Sequence, residues 1–74
     1  MLKAIDINRC LGEKLREARE VSGMNKSIFA KKIRVSIPQL SKYESGANQI
    51  SISRLILIAE TLSLNLNYFL DDIS

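Results

Sequence analysis

Apolar residues recur along the chain at helical spacing. Ile7, Leu11, Leu15, Ala18 and Val21 follow one another at steps of four, four, three and three, one stripe on a helix. Glu13, Lys14, Arg16, Glu17 and Glu20 fill the other faces. Ser22-Gly23 ends the run, with Gly23 suited to the left-handed C′ position, so a first helix is predicted over about 8–21. Asn25 suits an N-cap. After it Phe29, Ala30 and Ile33 share one face while Lys26, Lys31 and Lys32 point elsewhere, predicting a short second helix over about 26–33. Ser36 and Gln39 form an S-x-x-Q capping box, and Pro38 falls in a first turn, where its missing N–H costs nothing. Pro38 also disfavours helical geometry at Ile37, so the third helix, about 37–44, can start one residue later. Leu40 and Tyr43 point inward, and Gly46 stops this helix. Ala47 to Ser51 reads as a polar loop. Ser51 caps a fourth helix with the inward set Ile52, Leu55, Ile58, Ala59 and Leu62. Ile56 and Leu57 fall partly off that stripe, so this helix is apolar on more than one face. Ser63-Leu64 breaks it, and Asn65 caps a short last helix bearing Leu66, Phe69 and Leu70. No strand alternation of useful length and no internal repeat occurs, so the fold class is all-α with five helices.

The second and third helices are separated by three residues, a helix-turn-helix arrangement. Short turns alone are weakly specific, since any small bundle has them. The inward residues strengthen the reading: Ala30 permits close approach, Val35 plugs the turn and Leu40 locks the third helix onto the second. Ile37, Pro38, Ser41, Lys42 and Ser45 then share an outward face. A helix presenting its N-terminal residues in this way can enter the ~12 Å major groove of duplex DNA.

Length and composition narrow the field. Seventy-four residues read as one domain over 1–74. A domain this small buries only ~60% of its unfolded surface, so a second chain covering apolar surface is a natural addition. Cys10 is the single cysteine and there is no histidine, so neither an intrachain disulfide nor a zinc cage is expected, and no cofactor. Cys10 reads as an inert helix-start residue, since a redox sensor needs a perturbed thiol and a resolving partner. The start of the chain lacks the unbroken apolar stretch of a signal peptide. The longest apolar run, Leu55 to Ala59, falls far short of the ~20 residues of a membrane span. A soluble, cytoplasmic protein without membrane association is expected.

Charge is unevenly placed. Residues 21–54 carry Lys26, Lys31, Lys32, Arg34, Lys42 and Arg54 against Glu44 alone, whereas residues 55–74 carry only Glu60, Asp71 and Asp72. A localised basic field suits a phosphate backbone. A solvated lysine face explains it equally well on charge alone.

Several runs then line up in order: Leu11-Gly12, Leu15-Arg16 and Arg19; Phe29-Ala30; Val35-Ser36; and Leu40-Ser41-Lys42-Tyr43-Glu44-Ser45-Gly46. Ser51-Ile52, Leu55, Ala59 and Leu62 follow, then Leu64-Asn65-Leu66 and Phe69-Leu70. Across 11–70 this resembles the Cro and phage-repressor, XRE-type helix-turn-helix family. No single piece is decisive, but the joint spacing is highly specific. The resemblance implies a compact repressor-like domain in which Ile37, Pro38, Ser41 and Lys42 face base edges. It further implies that Asn25, Lys26, Ser36, Gln39, Asn48, Gln49 and Ser51 lie against the DNA backbone. Arg19 and Glu44 match a pair that is salt-bridged inside the family fold. Three departures stand out. Lys26 replaces a common glutamine and, as a donor only, supplies charge but not both hydrogen-bonding roles. Arg34 replaces a common glycine in a turn position that can require positive φ, so either arginine is strained there or the turn differs. Ile37 and Pro38 donate no side-chain hydrogen bond and suit thymine methyl groups, leaving Lys42 as the main polar reader, with guanine its natural target. DNA shape then supplies part of the preference.

The expected function is a sequence-specific, DNA-binding transcriptional regulator acting as a repressor. Two copies would set their third helices in successive major grooves of a near-palindromic operator. The greasy C-terminal residues Ile56, Leu57, Leu64, Tyr68 and Ile73 suggest a homodimer surface. The resemblance places such a protein in a bacterial cell or phage-infected host, nucleoid-associated when bound. The alternative is a protein-interaction module or antitoxin-like partner that keeps the fold without DNA binding. No catalytic constellation, metal cluster or phosphate-binding glycine loop is present, so an enzyme is not expected.

Overall fold

The computed structural model describes residues 3–71, and among them the regular structure is helical throughout. The order is α1 (Ala4–Val21), α2 (Lys26–Lys32), α3 (Ile37–Ser45), α4 (Ile52–Thr61) and α5 (Asn67–Leu70). None of these helices is long and apolar enough to cross a membrane.

The core lies where the inward faces converge. Phe29, Phe69, Leu15, Ile33, Leu40 and Ile58 are fully enclosed, and each contributes roughly 1.5–3 kcal/mol through removal from water. Ala30 is buried at the α2–α3 crossing, and Val35 packs against the core from the turn. α1 passes close to α3 at Gly12. A Cβ there would lie 2.7 Å from the Glu44 carbonyl oxygen and closer still to that of Tyr43, so no side chain fits.

The caps of α2, α3 and α4 fall where the sequence puts them. Asn25 accepts from the Ile28 amide (2.8 Å), Ser36 from Gln39 (3.1 Å) and Ser51 from Arg54 (3.2 Å). α3 starts at Ile37, and Pro38 sits in its first turn. Asn65, expected to cap the last helix, does not: Leu66 holds the N-cap position of α5 with no side-chain cap bond, and Asn65 accepts from the Asn67 amide at 2.9 Å in an Asx turn one residue earlier. Gly23 and Gly46 are left-handed, with φ of 78° and 80°.

Four further expectations need correction. α1 begins at Ala4 rather than near residue 8, because nothing breaks the helix earlier, Asp6 favours its first turn and Ile7 packs on the core. Val21 keeps the stripe's spacing but is 83% exposed, since the last turn of α1 runs beyond the core. Ile52, placed in the inward set of α4, is 64% exposed because the first turn of α4 also precedes the core. Ile50 is buried in the loop read as polar, inserted between α3 and α4. Of the proposed dimer residues, Leu57, Leu64 and Tyr68 are half-buried against the core; Ile56 is exposed, and Ile73 lies outside the described residues.

Two long side chains tie elements together. Arg54 on α4 donates from Nη1 to the Ile33 carbonyl (2.6 Å), placing a cation on the C-terminal end of α2. Lys14 on α1 donates to the Tyr68 carbonyl (2.9 Å) with its Nζ 4.7 Å from the Tyr68 ring centre, fastening α5 onto α1.

Candidate nucleic-acid interface

α3 divides cleanly. Leu40, Tyr43 and Glu44 are buried, so their helical complement turns outward. Pro38, Lys42 and Ser45 are exposed and Ile37 is nearly half exposed, while Ser41 and Gln39 are half-buried. The residues expected to face bases thus lie on one side of one helix.

The turn before α3 holds its geometry with an unusual residue. The Arg34 amide donates to the Lys31 carbonyl (3.2 Å) and the Val35 amide to that of Ala30 (3.0 Å). This is the paired bonding of a Schellman cap, whose C′ residue must be left-handed. Arg34 takes that role at φ 62°. Of the two readings of Arg34, the glycine-type turn is retained and arginine is held in the left-handed region, where an L-residue costs roughly 1–2 kcal/mol. The Arg54 bond to Ile33 helps hold this turn. Ser63 repeats the arrangement after α4, at φ 55°.

Behind α3 lies a buried ion pair. Arg19 donates from Nε to Glu44 Oε2 (2.7 Å) and from Nη2 to Oε1 (3.3 Å). Its Nη1 donates to the Met24 carbonyl at 2.9 Å, tying the α1–α2 turn to the same guanidinium. Both side chains are almost wholly enclosed. The hydrogen bond to Glu44 raises the Arg19 pKa above its ordinary value; burial opposes the rise and the Glu44 charge reinforces it. A raised cation keeps its stabilising contribution at every pH below its unfolded value, so this group gives no loss of stability from neutral into moderately alkaline pH. Every buried side-chain polar atom among the described residues has a partner.

Lys26 reaches across to α3. Its Nζ donates to Ser41 Oγ (3.1 Å) and stands 3.9 Å from Glu44 Oε1. A lysine therefore supplies a brace between α2 and α3, through its donor alone. Asn25, Ser36 and Ser51 use their side-chain oxygens to cap α2, α3 and α4 and lie exposed, Ser36 and Ser51 in the segments that flank α3. Asn48, half-buried, and Gln49, exposed, occupy the loop after α3, where the Ala47 and Asn48 amides donate to the Lys42 carbonyl at 2.9 and 3.3 Å. Lys31, Lys32 and Arg34 are exposed nearby, and Tyr43 is buried. Cys10 is a half-buried free thiol. Sequence reasoning missed the inward use of Arg54 and the link between Lys26 and Ser41. Both need the tertiary crossing of helices, which spacing along one helix does not encode.

A helix-turn-helix family model matches residues 15–69. An uncharacterized HTH-type transcriptional regulator of Rickettsia prowazekii is 40% identical over 65 residues, covering 88% of this chain and 50% of that protein. An uncharacterized transcriptional regulator from the ATPase CF(0) region of Rhodospirillum rubrum is 38% identical, covering 85% and 58%. The chain thus spans about half the length of the curated relatives it matches. Among solved structures, the clp gene regulator ClgR of C. glutamicum superposes with a TM-score of 0.83 at 27% identity, over 89% of this chain and 86% of that one. With its turn, its α3 face and its Arg19–Glu44 pair, this chain belongs to the XRE-type helix-turn-helix family of transcriptional regulators.

Proposed function

We propose that this chain is the DNA-binding part of a transcriptional repressor and binds a near-palindromic operator as a homodimer. The outward face of α3, with Ile37, Pro38 and Lys42 presented together on the family frame, carries the reading. α3 enters the major groove; Ile37 and Pro38 lie on thymine methyl groups, and Lys42 donates to guanine O6 and N7. Ser41 stands beside them, held by Lys26. Asn25, Lys26, Ser36, Gln39, Asn48, Gln49 and Ser51 engage phosphates on either side. Free backbone N–H groups at the starts of α3 and α4 favour an anion there. The apolar surface around Val21, Leu62, Leu64 and Tyr68 supports pairing of two copies.

Mutation separates the two kinds of contact. Lys42→Ala relaxes base preference, while Lys26→Ala weakens binding to all duplexes and lowers the salt slope by about one contact. Equal losses on every sequence in both variants contradict this division. Absence of duplex binding even at low salt, with capture of a protein partner, favours the interaction-module reading instead.

A further inference from the structure

A polar depression of about 430 Å³ lies beside the outward face of α3. Arg16, Arg19 and Glu20 of α1, Lys26 of α2 and Ser41, Glu44 and Ser45 of α3 line it. Its charges are not equivalent. Arg19 and Glu44 are buried and bound to each other. Lys26 gives one hydrogen bond to Ser41 and keeps donors in reserve, since an ammonium has three. Among the described residues Arg16 pairs with Glu20, at 3.6 Å, with both side chains more than half exposed. Such an exposed pair is worth little and exchanges partners readily. Two cations that can change partner, Arg16 and Lys26, therefore open on one hollow with hydroxyls along its α3 side, and the lining carries three cations against two carboxylates.

We propose that this hollow seats a backbone phosphate of the duplex, gripped by Arg16 together with Lys26, with Arg16 leaving Glu20 to do so. Arg16 is not among the residues for which the family resemblance implied a DNA contact. The inference rests on the DNA-binding reading above, because Ser41 and Ser45 place the hollow along the flank of the helix that would occupy the groove. Arginine suits the role, since its planar fork takes two phosphate oxygens at once. Glu20 acts as the counterion it exchanges for phosphate.

The test measures binding to a short duplex between about 50 and 200 mM salt. Arg16→Gln weakens binding and lowers the log–log slope by up to about 0.9, the worth of one phosphate, less whatever share Lys26 keeps at that phosphate, and leaves the melting temperature unchanged because Arg16 is exposed. Glu20→Gln tightens binding more than Glu17→Gln, because Glu20 is the carboxylate that pairs with Arg16; equal tightening in both reports a long-range field and overturns the seat. An unchanged slope in Arg16→Gln, with wild type bound, overturns the inference and spares the DNA reading. Failure of wild type to bind at low salt overturns both. Inorganic phosphate is titrated separately against the Arg16 guanidinium NMR signals: saturation by phosphate alone, with the DNA slope of Arg16→Gln unchanged, identifies a free-anion site and refutes the backbone assignment.

Discussion

Removing Arg19 tests the frame on which α3 is mounted. In Arg19→Ala, Glu44 loses its hydrogen bonds at 2.7 and 3.3 Å and the Met24 carbonyl loses one at 2.9 Å. Glu44 stays buried, with the Lys26 ammonium at 3.9 Å as its nearest remaining cation. Breaking a buried ion pair from one side costs ~3–5 kcal/mol, because the abandoned charge has no water to return to. Lys26 is half-exposed and can lean inward, which sets the expected loss at the lower end, about 3 kcal/mol. A domain of this size has a total stability of roughly 4–11 kcal/mol, so the variant should remain folded at room temperature but melt early. Each kcal/mol lowers the melting temperature of such a domain by roughly 4–8 °C, giving a fall of roughly 12–24 °C by circular dichroism. The double variant Arg19→Met with Glu44→Leu should recover most of this, since an apolar pair leaves no stranded charge. A single variant that melts with wild type, or a double variant no better than the single, refutes the reasoning.

Two further substitutions probe the backbone. Gly12→Ala places a methyl against the Tyr43 and Glu44 carbonyls, forcing α1 and α3 apart at a cost of roughly 1–3 kcal/mol in urea unfolding; a midpoint equal to wild type contradicts that close approach. Arg34→Gly relieves the left-handed strain of the turn but loosens the unfolded chain, so a net gain of roughly 0.5–1 kcal/mol is expected; a loss of stability would show that the arginine side chain holds the turn. Arg54→Ala removes the bond to the Ile33 carbonyl and should cost about 1 kcal/mol, again read by urea midpoint.

Helix order was legible because caps and breakers are local. Ser36, Ser51 and Asn25 act within three residues of themselves, and Gly23 and Gly46 end helices by their own φ. The outward face of α3 followed from the buried Leu40 and Tyr43 at helical spacing. What spacing did not reveal was where the core stops. Val21 and Ile52 obey the apolar period, yet each lies in a terminal turn with nothing packed over it. Ile50 breaks no helical pattern because it belongs to none, and its burial depends on the path of the loop. The roles of Gly12, Lys26 and Arg54 likewise depend on which helices cross, a property of the assembled bundle.

Whether α3 reads base sequence is decided by selection from a randomised duplex library at near-physiological salt. An α3 that reads bases enriches an inverted repeat whose half-sites lie one helical turn, ~34 Å, or a multiple of it apart, with thymines and a guanine where Ile37, Pro38 and Lys42 would lie. Duplexes retained without any enriched sequence, or no retention at all, would contradict base reading by α3.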